Sequence, residues 1–161
     1  MNLEIKALLP AHWPEVQLIY IEGLATGHAT FETRAPSWEK WDASHLVKPR
    51  LVAELDGSVH GWAALSPVSA REVYAGVAEV SVYVGELSRG LGVGRRLLSE
   101  LIAESEKVGL WTLQGSIFPE NESSIALHKG CGFREVGRRE RIGQLNGIWR
   151  DTVLLERRTK K

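Results

Sequence analysis

The sequence predicts an α/β domain built on one sheet of mixed strand direction, and three observations carry that expectation. Strand-like and helix-like stretches follow one another in the order β-α-α-β-β-β-α-β-α-β-β, which mixes hairpins with crossover units. A β-branched run, Val80 to Val84, passes through a glycine-rich loop into apolar residues at helical spacing. The 161 residues suffice for a single domain, 1–161, with a sizeable core, and no internal repeat, low-complexity tract or linker divides them.

Leu3 to Ala7 alternates like a first strand, and Pro10 ends it. From Ala11 or His12 to Leu24, apolar Val16, Leu18, Ile19, Ile21 and Leu24 suit a helix closed by Gly23 and Gly27. Ala29 to Thr33 crosses towards Pro36, and Ser37 stands where it can cap a short helix reaching Leu46. Arg50 to Leu55 and Ser58 to Pro67 read as strands joined by Asp56-Gly57, a strong hairpin signal. A polar loop, Ser69 to Gly76, leads into a strand from Val77 to Val84. The helix after the glycine loop runs to Lys107 and stops at Gly109. Trp111 to Phe118 is the next strand, and Glu122 to Lys129 a short helix ended by Gly130 or Gly132. Phe133 to Arg138 and Trp149 to Glu156 form the last two strands, around a hairpin loop from Gly143 to Gly147.

Twenty basic and twenty acidic residues cancel, so no nucleic-acid partner held by bulk charge is expected. No apolar run approaches membrane-spanning length and Met1 to Lys6 does not read as a signal peptide, so no membrane association is expected either. Cys131 is the only cysteine, which excludes a disulfide within the chain and fits a reducing, cytoplasmic setting. His12, His28, His45 and His60 lack metal-ligand spacing, and no metal is expected.

The loop after Val84 carries the first chemical signal. Arg89 precedes glycines at 90, 92 and 94, and Arg95 and Arg96 open the helix behind them. Such a junction aims unpaired backbone N–H groups at one point, where the helix dipole adds partial positive charge. Glycine leaves no Cβ to obstruct a close approach, so a phosphate can rest on the backbone itself. A tight turn that merely needs glycine would leave the same trace. Neither better-known phosphate loop fits: Arg95-Arg96 stands where a P-loop needs Lys then Ser or Thr, and the dinucleotide fingerprint lacks its third glycine. A second stretch, Asn121 to Phe133, sets Asn121, Ser124, Ile125 and His128 along one helical face.

Arg-x-x-Gly-x-Gly at Arg89, Gly92 and Gly94 resembles the acyl-CoA pyrophosphate loop of the GNAT N-acetyltransferase superfamily. Asn121 to Phe133 resembles that superfamily's later helix, with His128 where most members have Tyr, and the element order resembles its fold. The resemblance implies a mostly antiparallel sheet, splayed between its fourth and fifth strands and flanked by about four helices. It implies acetyl-CoA as cosubstrate. The phosphates would lie on Arg89, Gly90, Leu91, Gly92, Val93, Gly94 and Arg95, the pantetheine arm along Val82, Tyr83 and Val84, and Asn121 and Ser124 beside it. Ala78 to Val84, with Arg71 and Tyr74 upstream and Ala29 to Glu32 earlier, resembles the phosphinothricin and methionine-sulfoximine acetyltransferase branch. That branch commonly has a second Arg after the Tyr; here the position is Ala75.

An acceptor amine must be neutral to attack, and with a pKa of about 8 only roughly a tenth of an α-amino group is neutral at pH 7. Glu79, which interrupts an apolar strand and where the branch has its catalytic Glu, is the candidate base. The Val82 N–H would meet the oxyanion, and His128, with Tyr83 behind it, would donate to the departing thiolate. By the same resemblance Arg71 suits a substrate carboxylate, with Tyr74, Thr30, Phe31 and Trp149 completing the acceptor pocket. The expectation is a homodimeric N-acetyltransferase acting by direct transfer on the primary amine of a small amino-acid-like molecule, so that Cys131 need not be a nucleophile. Ala75 points to methionine sulfoximine or sulfone ahead of doubly anionic phosphinothricin. The rival readings are acetylation of a protein, a peptide or an aminoglycoside, and a non-catalytic acyl-CoA-binding module.

Overall fold

A computed structural model describes residues 2–160; Met1 and Lys161, the outermost residues of the domain read from the sequence, lie outside them. The strands are β1 (Leu3–Ala7), β2 (Leu51–Leu55), β3 (Ser58–Pro67), β4 (Val77–Val84), β5 (Thr112–Ile117), β6 (Arg134–Leu145) and β7 (Ile148–Arg158). The helices are α1 (Trp13–Ala25), α2 (Trp38–Ser44), α3 (Val93–Lys107) and α4 (Glu122–Gly130). The seven strands form one sheet in the order β1-β2-β3-β4-β5-β7-β6, antiparallel throughout except where β4 runs parallel to β5. That parallel pairing lasts only from Val77–Thr112 to Glu79–Gln114, so the sheet parts beyond Glu79.

Both faces of the middle strands are buried, because alternate residues serve opposite layers. Ala53, Ala63, Leu65, Ala78 and Val80 pack against Val93, Leu97, Leu98, Leu101 and Ile102 of α3. Val52, Val59, Trp62 and Ala64 pack on the other side against Val16, Ile19 and Tyr20 of α1 and Trp41 of α2. The α3 set recurs at three and four residues, the stripe that a helix lying on a sheet needs. Each fully buried leucine there stabilises the fold by about 2 kcal/mol, and Leu98→Ala would cost more, about 2–5 kcal/mol, through the cavity it leaves.

Helix α2 starts as its sequence predicts, with the Ser37 hydroxyl accepting from Lys40 N, but ends two residues before Leu46. Arg50 is the reason. Only 9% exposed, it lies on the Trp41 ring and donates to Asp42 Oδ1 and to the carbonyls of Asp42, His45 and Leu46. Extended backbone at His45 turns its carbonyl towards that guanidinium, which a continued helix could not do. The final hairpin also differs from expectation. The connection is the two-residue turn Asn146-Gly147, with φ of 52° and 80°, the type I′ arrangement that matches strand twist. Gly143 and Leu145, expected in the loop, belong to β6 and pair with Arg150 and Ile148. An exposed edge strand with a glycine in it has the composition of a loop, which is why its length was not legible.

Candidate active site

Where β4 leaves β5, two cavities of about 630 and 340 Å³ open side by side. Ala29, Val82, Tyr83, Asn121 and Ser124 wall both, so the larger runs into the smaller between β4 and the first turn of α4.

The larger cavity begins at the N-terminus of α3. Gly92 precedes that helix in the left-handed region, φ 83°, and no side chain caps the helix, so its first N–H groups face the cavity without partners. Protein atoms leave open the space where a Cβ at Gly90 or Gly92 would stand, whereas one at Gly94 would come 3.2 Å from Leu127 Cδ2. The first two therefore keep room for a ligand, and the third lets α4 close on α3. Arg89 and Arg95 line this cavity, while Arg96 reaches away from it to the Leu3 carbonyl. Leu91 stands apart, 53% exposed and outside the lining. A concave run of backbone N–H groups, a helix terminus and two guanidinium groups can hold phosphates, and Val82 to Val84 leads on from it with one edge unpaired.

The smaller cavity lies over the polar face of the sheet. Glu79, Ser81 and Tyr83 point to the face opposite Ala78 and Val80, and Ser116 of β5 and Thr152 of β7 join them. Glu79 is half-buried, and its Oε1 accepts from Gln114 Nε2 at 3.2 Å and Ser116 Oγ at 3.4 Å. The segment Ala29 to Glu32 forms the far wall. Phe31 meets Phe118 edge-on at 4.8 Å, and it lies where a Cβ at Gly143 would come within 3.1 Å of its ring. The Tyr83 ring stacks on Trp62 at 4.7 Å and Tyr20 at 5.1 Å, with the Thr30 hydroxyl beside both phenols. Burial, and then the Glu32 carboxylate, pushes Tyr20 up to about 12. Burial raises Tyr83 as well, followed by the neighbouring Tyr20, so both keep their protons at neutral pH.

His128 is 4% exposed, and its Nδ1 stands 2.7 Å from the Ser124 carbonyl. A carbonyl only accepts, so the proton is on Nδ1 and Nε2 carries the lone pair. Burial lowers the pKa of His128, partly offset by that hydrogen bond. Nε2 lies 3.3 Å from where a Cβ at Gly115 would be, so the missing side chain at 115 admits the imidazole to the sheet. Asn121 caps α4 by accepting from Ser124 N and donates to the His28 carbonyl at 3.1 Å, which occupies both ends of its amide.

The structure thus gathers Thr30, Phe31, Glu79, Val82, Tyr83, Asn121, Ser124 and His128 around one cavity. It does not bring Arg71, Tyr74 or Trp149 to either one. The chain between β3 and β4 tightens into a turn in which Arg71 lies 5.5 Å over the Tyr74 ring, and Gly76 is pressed under Trp111. Trp149 is 55% exposed near the turn of the β6–β7 hairpin. Two residues without a motif do belong here. Arg150 lies 4.0 Å over Phe118 and donates to the Gly27 carbonyl, with His28 Nδ1 and Glu120 Oε2 within 3.4 Å, so it ties the loop before Ala29 to the turn before α4. Thr152, on the same face two residues later, is 5% exposed in the cavity wall. Their only sequence mark is polar alternation on a strand. Among the described residues no group of three or more His, Cys, Asp or Glu could hold a metal ion.

Comparison with known proteins agrees with this geometry. The acetyltransferase (GNAT) family matches residues 11–133. A phosphinothricin N-acetyltransferase of Alcaligenes faecalis is 36% identical over 151 residues, covering 89% of this chain and 76% of that protein. An L-methionine sulfoximine/L-methionine sulfone acetyltransferase of Pseudomonas aeruginosa is 34% identical over 134 residues, covering 83% of this chain and 73% of the other. A phosphinothricin acetyltransferase from Sinorhizobium meliloti, solved with acetyl-CoA, superposes with a TM-score of 0.88 at 30% identity, over 98% of this chain and 89% of that one.

Proposed function

The chain belongs to the acetyltransferase (GNAT) family and is an acetyl-CoA-dependent N-acetyltransferase; we propose that its acceptor is the primary amine of a small amino-acid-like molecule. One observation carries the reading: a cavity suited to a phosphate-bearing cosubstrate opens into a smaller one that holds a carboxylate. At about 340 Å³, near the lower end of ligand pockets, the second cavity suits a small acceptor.

In this proposal the backbone from Arg89 to Arg95 holds the diphosphate, and the free edge from Val82 to Val84 aligns the pantetheine arm. Glu79 takes the proton of the ammonium, directly or through water, and the freed nitrogen lone pair attacks the thioester carbonyl. The Val82 N–H stabilises the oxyanion, and collapse expels the thiolate. The nitrogen of the adduct still carries an excess proton; His128 serves as a relay, its Nε2 lone pair taking up that proton and, because burial lowers the imidazole pKa, passing it on to the thiolate. The acetyl group moves straight from sulfur to nitrogen, with no covalent step at Cys131. The Tyr83 phenol, which keeps its proton, is the alternative donor.

The test is thiol release from acetyl-CoA over a panel of methionine sulfoximine, methionine sulfone, phosphinothricin, common amino acids, a short peptide and an aminoglycoside. Release with the small amines and little with the last two is the expected result; release confined to the peptide or the aminoglycoside overturns the reading. We further propose that the protein works in the cytoplasm as a homodimer. Exposed Ile142, Ile148 and Trp149 on the β6–β7 hairpin support a second copy there, and a monomer mass in light scattering would contradict it.

A further inference from the structure

The glycine loop at the mouth of the larger cavity is fixed at its two ends rather than along its length. Among the described residues, no N–H group from Arg89 to Gly92 donates to a protein acceptor. Behind the loop Val93 is 2% exposed and packs in the α3 core. Before it Ser88, 5% exposed, closes the single helical turn Glu86–Ser88 that follows β4. What Ser88 bonds therefore sets where the loop begins. Its Oγ lies 2.5 Å from Nδ1 of His60 in β3.

His60 reaches Ser88 because β3 carries a bulge there. Ala53 of β2 pairs with Gly61 and Glu54 with Val59, so His60 stands opposite no residue of β2. Val59 packs towards α1, whereas a Cβ at Gly61 would meet Val93 and Leu97 of α3, although residues two apart on a regular strand share a face. On its other side the His60 carbonyl accepts from Gly85 N at 2.8 Å. One residue thus holds both ends of the turn, by its main chain at Gly85 and its side chain at Ser88. Between them Glu22 Oε1 of α1 accepts from Glu86 N at 3.2 Å. None of His60, Gly85, Glu86 and Ser88 lines the smaller cavity, so this bracing serves the phosphate end alone. Given the reading above that lays the diphosphate on Arg89 to Arg95, on which this step rests, we propose that His60 is a positioning residue for the cosubstrate. Through Ser88 it holds the glycine loop where its N–H groups meet the phosphates. A buried hydroxyl that loses this partner turns towards water and carries the start of the loop with it.

The experiment measures kcat and KM with acetyl-CoA and with S-acetylpantetheine, a thioester that has the same arm and no phosphate. The proteins are the parent, His60→Phe, Ser88→Ala, His60→Asn and, as a direct obstruction of the loop, Gly92→Val. His60→Phe keeps a ring of similar size but leaves the Ser88 hydroxyl buried without its partner, so kcat/KM for acetyl-CoA should fall on the order of tenfold. The loss should lie in the acetyl-CoA KM, with kcat and the acceptor KM near the parental values and S-acetylpantetheine used as before. Ser88→Ala unties the turn from the other side and should show the same selective loss. His60→Asn sets an amide nitrogen where Nδ1 stood and should recover most of it. A role in the fold alone would lower the use of both thioesters alike. Equal losses with both thioesters, a loss that falls on kcat, or a parental acetyl-CoA KM in His60→Phe and Ser88→Ala while Gly92→Val raises it, overturns this inference and leaves the loop reading standing. A parental acetyl-CoA KM in His60→Phe, Ser88→Ala and Gly92→Val together overturns both.

Discussion

Replacing Glu79 by Gln removes the proposed base and almost nothing else. The carboxylate accepts from Gln114 and Ser116 through one oxygen, and the Gln amide oxygen can accept both bonds in its place. The fold then loses only the charge assistance in two half-exposed hydrogen bonds, about 1 kcal/mol, which for a domain of this size lowers Tm by about 2–4 °C. Chemistry loses far more. General-base help is worth about 10²–10⁴-fold in turnover. The sign of the pH dependence follows. With an amine pKa of about 8, the neutral fraction rises roughly tenfold from pH 7 to pH 9, so the variant should recover by about that factor while the parent changes little. Thiol release at saturating acetyl-CoA reads kcat, and circular dichroism confirms the fold. A folded Glu79→Gln protein with parental turnover at pH 7, or a deficit of constant size up to pH 9, refutes the role.

Gly92→Val places a side chain where no protein atom stands but a phosphate is proposed, at a φ of 83° that itself costs about 1–2 kcal/mol. Titration calorimetry should show acetyl-CoA affinity at least tenfold weaker in the folded variant, and unchanged affinity removes the loop from the binding site. Burial holds His45 and His128 below their ordinary value near 6.5, so as pH falls through that value the unfolded chain takes up protons first. Stability, complete above about pH 6.5, should decline towards pH 5, before Glu120 and Asp151, whose pKa values the fold lowers, come into play. Scanning calorimetry should find that decline, shallower in His128→Gln; a flat profile from pH 7 to pH 5 would contradict it. Arg150→Ala frees the loop from Gly27 to Glu32, and should raise the acceptor KM several-fold and cost about 1–3 kcal/mol of stability. An unaltered KM would mean that the loop holds its place without Arg150.

Much of the fold was legible because its signals are local. Leu3–Ala7, Ser58–Pro67 and Val77–Val84 have the bounds the sequence predicts, since alternating or β-branched runs there end at turn residues. The bend at His45 was not, because Arg50 imposes it from outside the helix, and neither was the length of β6, whose pairing partner supplies the evidence that its own composition lacks. The site divides in the same way. The glycine loop, Glu79 and His128 sit in contiguous motifs. Thr152, Arg150, Gly115 and Gly143 matter through what faces them across strands: a cavity, a loop, an imidazole and the Phe31 ring. Arg71, Tyr74 and Trp149 show the converse, since nearness along the chain to a catalytic strand or a hairpin loop does not set which way a turn folds.

The central claim is that acetyl passes directly between two substrates held together in adjoining cavities. Initial rates of thiol release, measured over a grid of acetyl-CoA and methionine sulfone concentrations, test it most directly. Simultaneous occupancy predicts double-reciprocal lines that intersect, and a Cys131→Ala protein that behaves as the parent does. Parallel lines, the mark of a covalent acetyl-enzyme, would contradict the account, as would the loss of activity in Cys131→Ala.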